Sequence, residues 1–126
     1  MEFCDCKKEK EDLKQIERDI LTNIRVMHAI KMVHRDIKEE NIGWSPHFKK
    51  WVLLDYGFAT FIKEDIGYKS VVSYIGTYQY CLKEMKQLYH LNRKGLVDLY
   101  YNDLHVFDVS LEILQQKMNS KTRELR

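Results

Sequence analysis

Proline is almost missing from these 126 residues, with Pro46 the one example. Proline-rich linkers and polyproline recognition tails are thereby excluded. Glycine is scarce as well: Gly43, Gly57, Gly67, Gly76 and Gly95 are all there are, and none precedes Gly43. A G-x-G-x-x-G loop, whose backbone N–H groups wrap phosphates, is therefore absent from this sequence. Cysteine occurs three times, as Cys4, Cys6 and Cys81, an odd count that cannot pair completely. With no secretory leader in front of them, the thiols are expected to be reduced and the protein intracellular, cytoplasmic or nuclear. Cys4 and Cys6 form a C-x-C without a second Cys/His pair at zinc-ligand spacing, which argues against a metal site there. No apolar run approaches the ~20 residues needed to cross a bilayer, so a soluble chain without membrane contact is expected. An excess of one charge is missing too: 21 basic and 19 acidic residues leave +2, and their interspersion speaks against nucleic-acid binding.

What is present reads as one globular domain, 44% hydrophobic and 12% aromatic. From Glu9 to about Lys31, Leu13, Ile16, Ile20, Ile24, Met27 and Ile30 recur every three or four residues, the spacing of an amphipathic helix buried along one stripe. Two short strands follow, Asn41 to Trp44 and Trp51 to Leu54, joined through Ser45-Pro46-His47 as a small hairpin. Gly57 to Tyr80 shows no period and reads as a long loop, a length that in compact domains is usually functional or disordered. A second helix is expected from about Asp103 to Met118, with Leu104, Phe107, Leu111 and Leu114 on one side, and a charged tail after Asn119. The expected fold class is α+β, mainly α-helical, with a small β-hairpin.

Directly after the first helix stands His34-Arg35-Asp36-Ile37-Lys38-Glu39-Glu40-Asn41. Nineteen residues beyond Asp36 comes Asp55-Tyr56-Gly57, preceded by the apolar Val52-Leu53-Leu54. Phosphoryl transfer needs oxygen ligands to hold Mg²⁺ against phosphates and an acceptor to orient the attacking hydroxyl. Asn41 and Asp55 suit the first task, Asp36 the second. Lys38 supplies positive charge near the moving phosphate. Each residue alone has a plainer reading: Asp36 as a cap, Asn41 as a turn residue, Asp55 as a strand end, Lys38 as a solvated charge. In order and at this spacing, the pair of segments resembles the catalytic loop and the D-F-G magnesium loop of eukaryotic protein kinases, and Lys38 resembles the serine/threonine-specific branch.

The resemblance extends further. Gly76-Thr77-Tyr78-Gln79-Tyr80-Cys81-Leu82-Lys83-Glu84 is similar to the G-T-x-x-Y-x-A-P-E end of the kinase activation segment, which would run over 55–84. Asp103-Leu104-His105-Val106-Phe107-Asp108 resembles the start of the helix that anchors the catalytic loop. His28 fits the family, and Met1-Glu2-Phe3-Cys4 resembles the hinge between kinase lobes. The resemblance implies Asp36 and Lys38 as catalytic residues, and Asn41 and Asp55 as metal and cofactor ligands. It implies Arg35, Ser73 and Thr77 in regulation or substrate contact, with Arg35 receiving a phosphate on the loop that also holds Lys63 and Lys69. His34, Glu84 and Asp103 would be structural, Asp103 accepting hydrogen bonds from the backbone around His34 and Arg35. Three departures stand out: Tyr56 for Phe, Leu82-Lys83 for Ala-Pro, and Asp108 for Gly.

The expectation is a partial kinase domain over 1–126, a C-lobe fragment that implies ATP and Mg²⁺ as cofactors and a protein Ser/Thr substrate. A partner chain would then cover the face of the missing N-lobe. With no glycine-rich loop, upstream strand lysine or paired glutamate, this polypeptide alone is expected to be inactive. The alternatives are a non-catalytic kinase-like scaffold or a truncated gene product.

Overall fold

The computed structural model describes residues 8–62, 70–72, 75–91, 93 and 95–124. Ser73, Lys63, Lys69, Cys4, Cys6 and the hinge-like start at Met1 lie outside the described residues. A 3-10 turn at Lys10–Asp12 opens helix α1, Leu13–Ala29. The entry is fixed locally, since Asp12 Oδ2 accepts the Glu9 N–H at 2.9 Å. Ile16, Ile20 and Ile24 are fully buried and Met27 nearly so. Each contributes about 2 kcal/mol of apolar burial. Ile30, expected on the same stripe, is instead 56% exposed, because the helix ends at Ala29 and the chain turns out of phase. Lys31 makes that turn with φ +61, the left-handed value usually left to glycine.

Strand β1, Met32–Val33, follows and leads into the 34–41 segment, which closes with a 3-10 turn at Glu39–Asn41. The hairpin consists of β2, Ile42–Ser45, and β3, Lys50–Leu53, paired Ile42↔Leu53 through Ser45↔Lys50. Two side chains of α1 cap its outer strand, and a third, Gln15, reaches the Lys49 carbonyl in the turn at 3.5 Å. Asp19 Oδ2 accepts the Trp51 N–H at 3.1 Å, and Asn23 Oδ1 accepts the Leu53 N–H at 3.2 Å. Four helical residues advance about 6 Å and two strand residues about 6.7 Å, so the two caps match the two amides without distortion.

The stretch expected as a long loop contains two short strands. β4, Thr60–Phe61, pairs antiparallel with β1, and β5, Ser70–Val72, pairs antiparallel with β6, Gly95–Val97. Strands of two and three residues are too short to show alternation in sequence, and their partners are remote. A helix that the hydropathy pattern did not suggest, α2, spans Lys83–Leu91. The last helix, α3, runs Leu99–Glu124, longer at both ends than expected. Its buried face is also rotated. Leu104 is 39% exposed, while Asn102, Asp103, Val106, Phe107, Ser110, Leu114 and Met118 face the core. The arrangement is α+β and mainly helical, as the sequence suggested.

Candidate active site

Three polar residues on the buried face of α3 shape the site from below. Asp103, fully buried, accepts the His34 N–H (2.9 Å) and His28 Nε2–H (3.0 Å) on Oδ2, and the Arg35 N–H (2.9 Å) on Oδ1. These bonds hold Arg35 at φ +72, a conformation a non-glycine residue adopts only when its surroundings demand it. Ser110 Oγ lies 2.8 Å from both the Ile37 and Val106 carbonyls. Asn102 Oδ1 accepts the Leu82 N–H at 3.0 Å, fixing the chain just before α2.

His34 links the two chemical segments. Its Nε2 is 2.9 Å from the Leu54 carbonyl, which can only accept, so Nε2 carries the proton and Nδ1 accepts the Asp36 N–H at 3.2 Å. Leu54 is gripped on its other side as well, its N–H donating to the Asn41 carbonyl at 2.7 Å. Asp55 thus starts from a residue clamped at both ends to the 34–41 segment. Tyr56 sets its ring edge-on to His34 at 5.1 Å and stays 45% exposed, so its hydroxyl requires no protein partner.

Around Asp36 the side chains converge. Oδ1 accepts the Thr77 hydroxyl at 2.9 Å; Oδ2 lies 3.8 Å from Lys38 Nζ and 3.3 Å from Asn41 Nδ2. Asn41 Nδ2 also donates to the Asp36 carbonyl at 2.8 Å, and Lys38 Nζ to Thr77 Oγ1 at 3.4 Å. Thr77 reaches this point because Gly76, at φ +110, packs directly on Arg35: a Cβ there would meet the Arg35 carbonyl oxygen at 2.5 Å.

Asp55 makes no hydrogen bond to Asp36 or Asn41. With φ +53, it folds back so that Oδ1 accepts the Gly57 N–H at 3.1 Å. It lines a cleft of about 530 Å³ with Asn23, Phe48, Val52, Leu54 and Tyr56. Among the described residues no group of three His, Cys, Asp or Glu could hold a metal ion. Arg35 Nε donates to the Phe58 carbonyl at 2.6 Å, and burial lowers the pKa of its guanidinium against the opposing pull of Asp103. Glu84 stands exposed in the first turn of α2 with no ion pair among the described residues. Asp108 faces outward, so replacing glycine there disturbs no packing.

Reasoning from sequence missed Asn102 and Ser110. Both are buried on the inner side of α3, Ser110 seven residues after Asp103 on the same face and Asn102 directly before it, and a polar residue in a buried stripe is itself the signal. It also missed the close approach of Gly76.

Comparisons with known proteins point the same way as this geometry. The sequence profile described as "Protein kinase domain" matches residues 4–100. A probable serine/threonine-protein kinase, fnkB of Dictyostelium discoideum, is 32% identical over 50 residues, 40% of this chain and 9% of its own length. The cell cycle protein kinase spo4 of Schizosaccharomyces pombe is 38% identical over 48 residues, 38% of this chain and 11% of its own length. Calcium-dependent protein kinase 12 of Oryza sativa subsp. japonica is 35% identical over 72 residues, 56% of this chain and 13% of its own length. The chain thus spans a small part of each of these relatives. A profile match over most of the chain, together with the hydrogen-bonded link between the 34–41 segment and the strand before Asp55, shows that the chain belongs to the protein kinase domain family.

Proposed function

We propose that residues 1–126 supply the acceptor side and the magnesium ligands of a protein serine/threonine kinase site, acting with ATP on protein hydroxyls. The observation that carries the reading is the Asp36 carboxylate, which already holds one hydroxyl, that of Thr77, at 2.9 Å. A carboxylate has about four lone-pair positions, so a substrate hydroxyl can dock beside Thr77 and be aimed by the same group. Lys38, within 3.4 Å of Thr77 Oγ1 and 3.8 Å of Asp36 Oδ2, offsets the negative charge of the transferring phosphoryl group. Asn41 keeps Asp36 in place through its Nδ2.

The donor set fits Mg²⁺. Asn41 spends its amide nitrogen on Asp36, leaving the amide oxygen, and Asp55 keeps Oδ2 after Oδ1 accepts Gly57. Both are hard oxygen donors, and magnesium normally completes its shell with phosphate oxygens and water. When bound, the ion neutralises phosphate charge. In the same reading Arg35 and Ser73 take part in regulation, and His34, Glu84 and Asp103 support the loops.

Melting with and without Mg²⁺-ATP tests the reading. Binding with a millimolar constant, at ten times that concentration, contributes about 1.4 kcal/mol and raises the midpoint by about 5 °C. The shift is expected in the native sequence and lost in Asn41→Ala/Asp55→Ala; its absence from the native chain would reject the proposal. Phosphoryl transfer by the 126-residue polypeptide alone is expected to be undetectable, since its sequence carries no glycine-rich phosphate loop. Turnover of radiolabelled ATP that vanishes in Asp36→Ala would contradict that expectation.

A further inference from the structure

Among the described residues, Nε1 of Trp51 is the one buried side-chain nitrogen or oxygen without a hydrogen-bond partner. The indole is 4% exposed, and its cross-strand neighbour Trp44 meets it edge-on at 5.4 Å. A buried tryptophan N–H ordinarily finds an acceptor, since leaving it dry forfeits the bond it had to water. Two polar side chains at Trp51 do not serve: Asp19 Oδ2 is taken by the Trp51 backbone N–H, and the Lys8 ammonium, 5.7 Å from the ring centroid, can only donate.

Lys8 is also where the described chain begins. Glu9 is extended, with φ −105 and ψ 164, and its N–H is held by the Asp12 carboxylate, so the chain enters α1 from a fixed direction with Lys8 laid over the Trp51 ring. Seven residues precede Lys8, and an extended stretch of that length reaches roughly 23 Å. They carry what the site lacks: backbone carbonyls, the carboxylates of Glu2 and Asp5, and the apolar side chains of Met1 and Phe3 to cover the indoles. We infer that residues 1–7 lie across the Trp44–Trp51 pair of the β2–β3 hairpin and that an oxygen of this segment accepts the Trp51 Nε1–H. The hairpin starts directly after Asn41 and ends two residues before Asp55, so the segment braces the strands between the two proposed magnesium ligands. The inference itself rests on Trp51 and not on the chemistry proposed for those ligands.

Indole hydrogen exchange, read by NMR, tests this, because Trp44 and Trp51 are the two tryptophans of the chain and a Trp44→Phe variant assigns their signals. In the native 126-residue chain the Trp51 indole is expected to exchange more slowly than that of Trp44. Deleting residues 1–7 is expected to speed it about tenfold, while the Trp51 backbone amide, held by Asp19, keeps its protection. Phe3→Ser/Asp5→Ser, which keeps the full length, is expected to fall in between. Lys8→Met, which removes only the cation, is expected to stay within about threefold of the native rate. A Trp51 indole that exchanges as fast as Trp44 in the native chain would overturn the inference. So would a rate that the deletion leaves unchanged, the result for an indole bonded to an internal water. Should the deletion variant not fold, the Phe3→Ser/Asp5→Ser chain decides, and a native rate there rejects the docking.

Discussion

Removing the carboxylate of Asp103 is the sharpest test of how the catalytic segment is held. In Asp103→Ala the amides of His34 and Arg35 both lose their acceptor, one fully buried and one partly so, and His28 loses its partner. A buried donor left unpaired costs about 1–3 kcal/mol, more when the lost partner was charged. Two such amides and the histidine bring the expected loss to about 4 kcal/mol. That is a large share of the 5–15 kcal/mol typical of a small domain. Asp103→Asn keeps one acceptor oxygen but turns an amide NH₂ toward a donor, for an expected loss of about 2–3 kcal/mol. Urea unfolding followed by circular dichroism measures both losses, and amide hydrogen exchange shows whether the His34 and Arg35 amides lose protection before the rest. Because these bonds keep Arg35 at positive φ, early exchange there is expected even in the milder variant. A loss below about 0.5 kcal/mol in Asp103→Ala would refute the claim that this side chain holds the loop.

Three further outcomes follow from the structure. Gly76→Ala would press a methyl group into the Arg35 carbonyl at an unfavourable positive φ, with an expected loss of about 2–4 kcal/mol in urea unfolding; loss of the Mg²⁺-ATP response is not expected, because Asn41 and Asp55 remain. Asn23→Ala leaves the Leu53 amide without its cap and is expected to cost about 1–2 kcal/mol, with faster exchange at Leu53 than at Trp51, whose Asp19 partner persists. Burial raises the pKa of the Cys81 thiol, so in a Cys4→Ser/Cys6→Ser background it should react with a disulfide reagent far more slowly when folded than in urea. Since the folded pKa lies above the unfolded one, its contribution to stability is complete below pH 9.0, the ordinary value, and is lost as pH rises through the folded value.

The helix over Ile16, Ile20, Ile24 and Met27 could be read directly because its buried residues recur every three or four positions, and the hairpin because the turn-like Ser45-Pro46-His47 separates two short strand candidates. The grouping of Asp36, Lys38 and Asn41 could be read from the chemistry their types and spacing serve, and Thr77 beside Asp36 only from the family resemblance. The phase of α3 could not. Its inner face includes Asn102, Asp103 and Ser110, which a hydropathy count assigns to solvent, whereas each is buried by a backbone partner elsewhere in the chain. The pairs β1–β4 and β5–β6 were equally hidden, their strands being shorter than one full alternation. Helix α2 begins at Lys83 without proline, and its inward stripe, Met85 and Leu88, covers only nine residues, too few for the period to stand out; its start is fixed by the Asn102 bond to Leu82.

The docking of α1 against β3 also bears on self-association. A two-stranded ribbon ordinarily offers the N–H groups along its free margin to any extended segment that passes, the first step toward intermolecular sheet growth. Here the Trp51 and Leu53 donors are already spent on Asp19 and Asn23, so an intruding chain would meet a margin whose inner donors are taken.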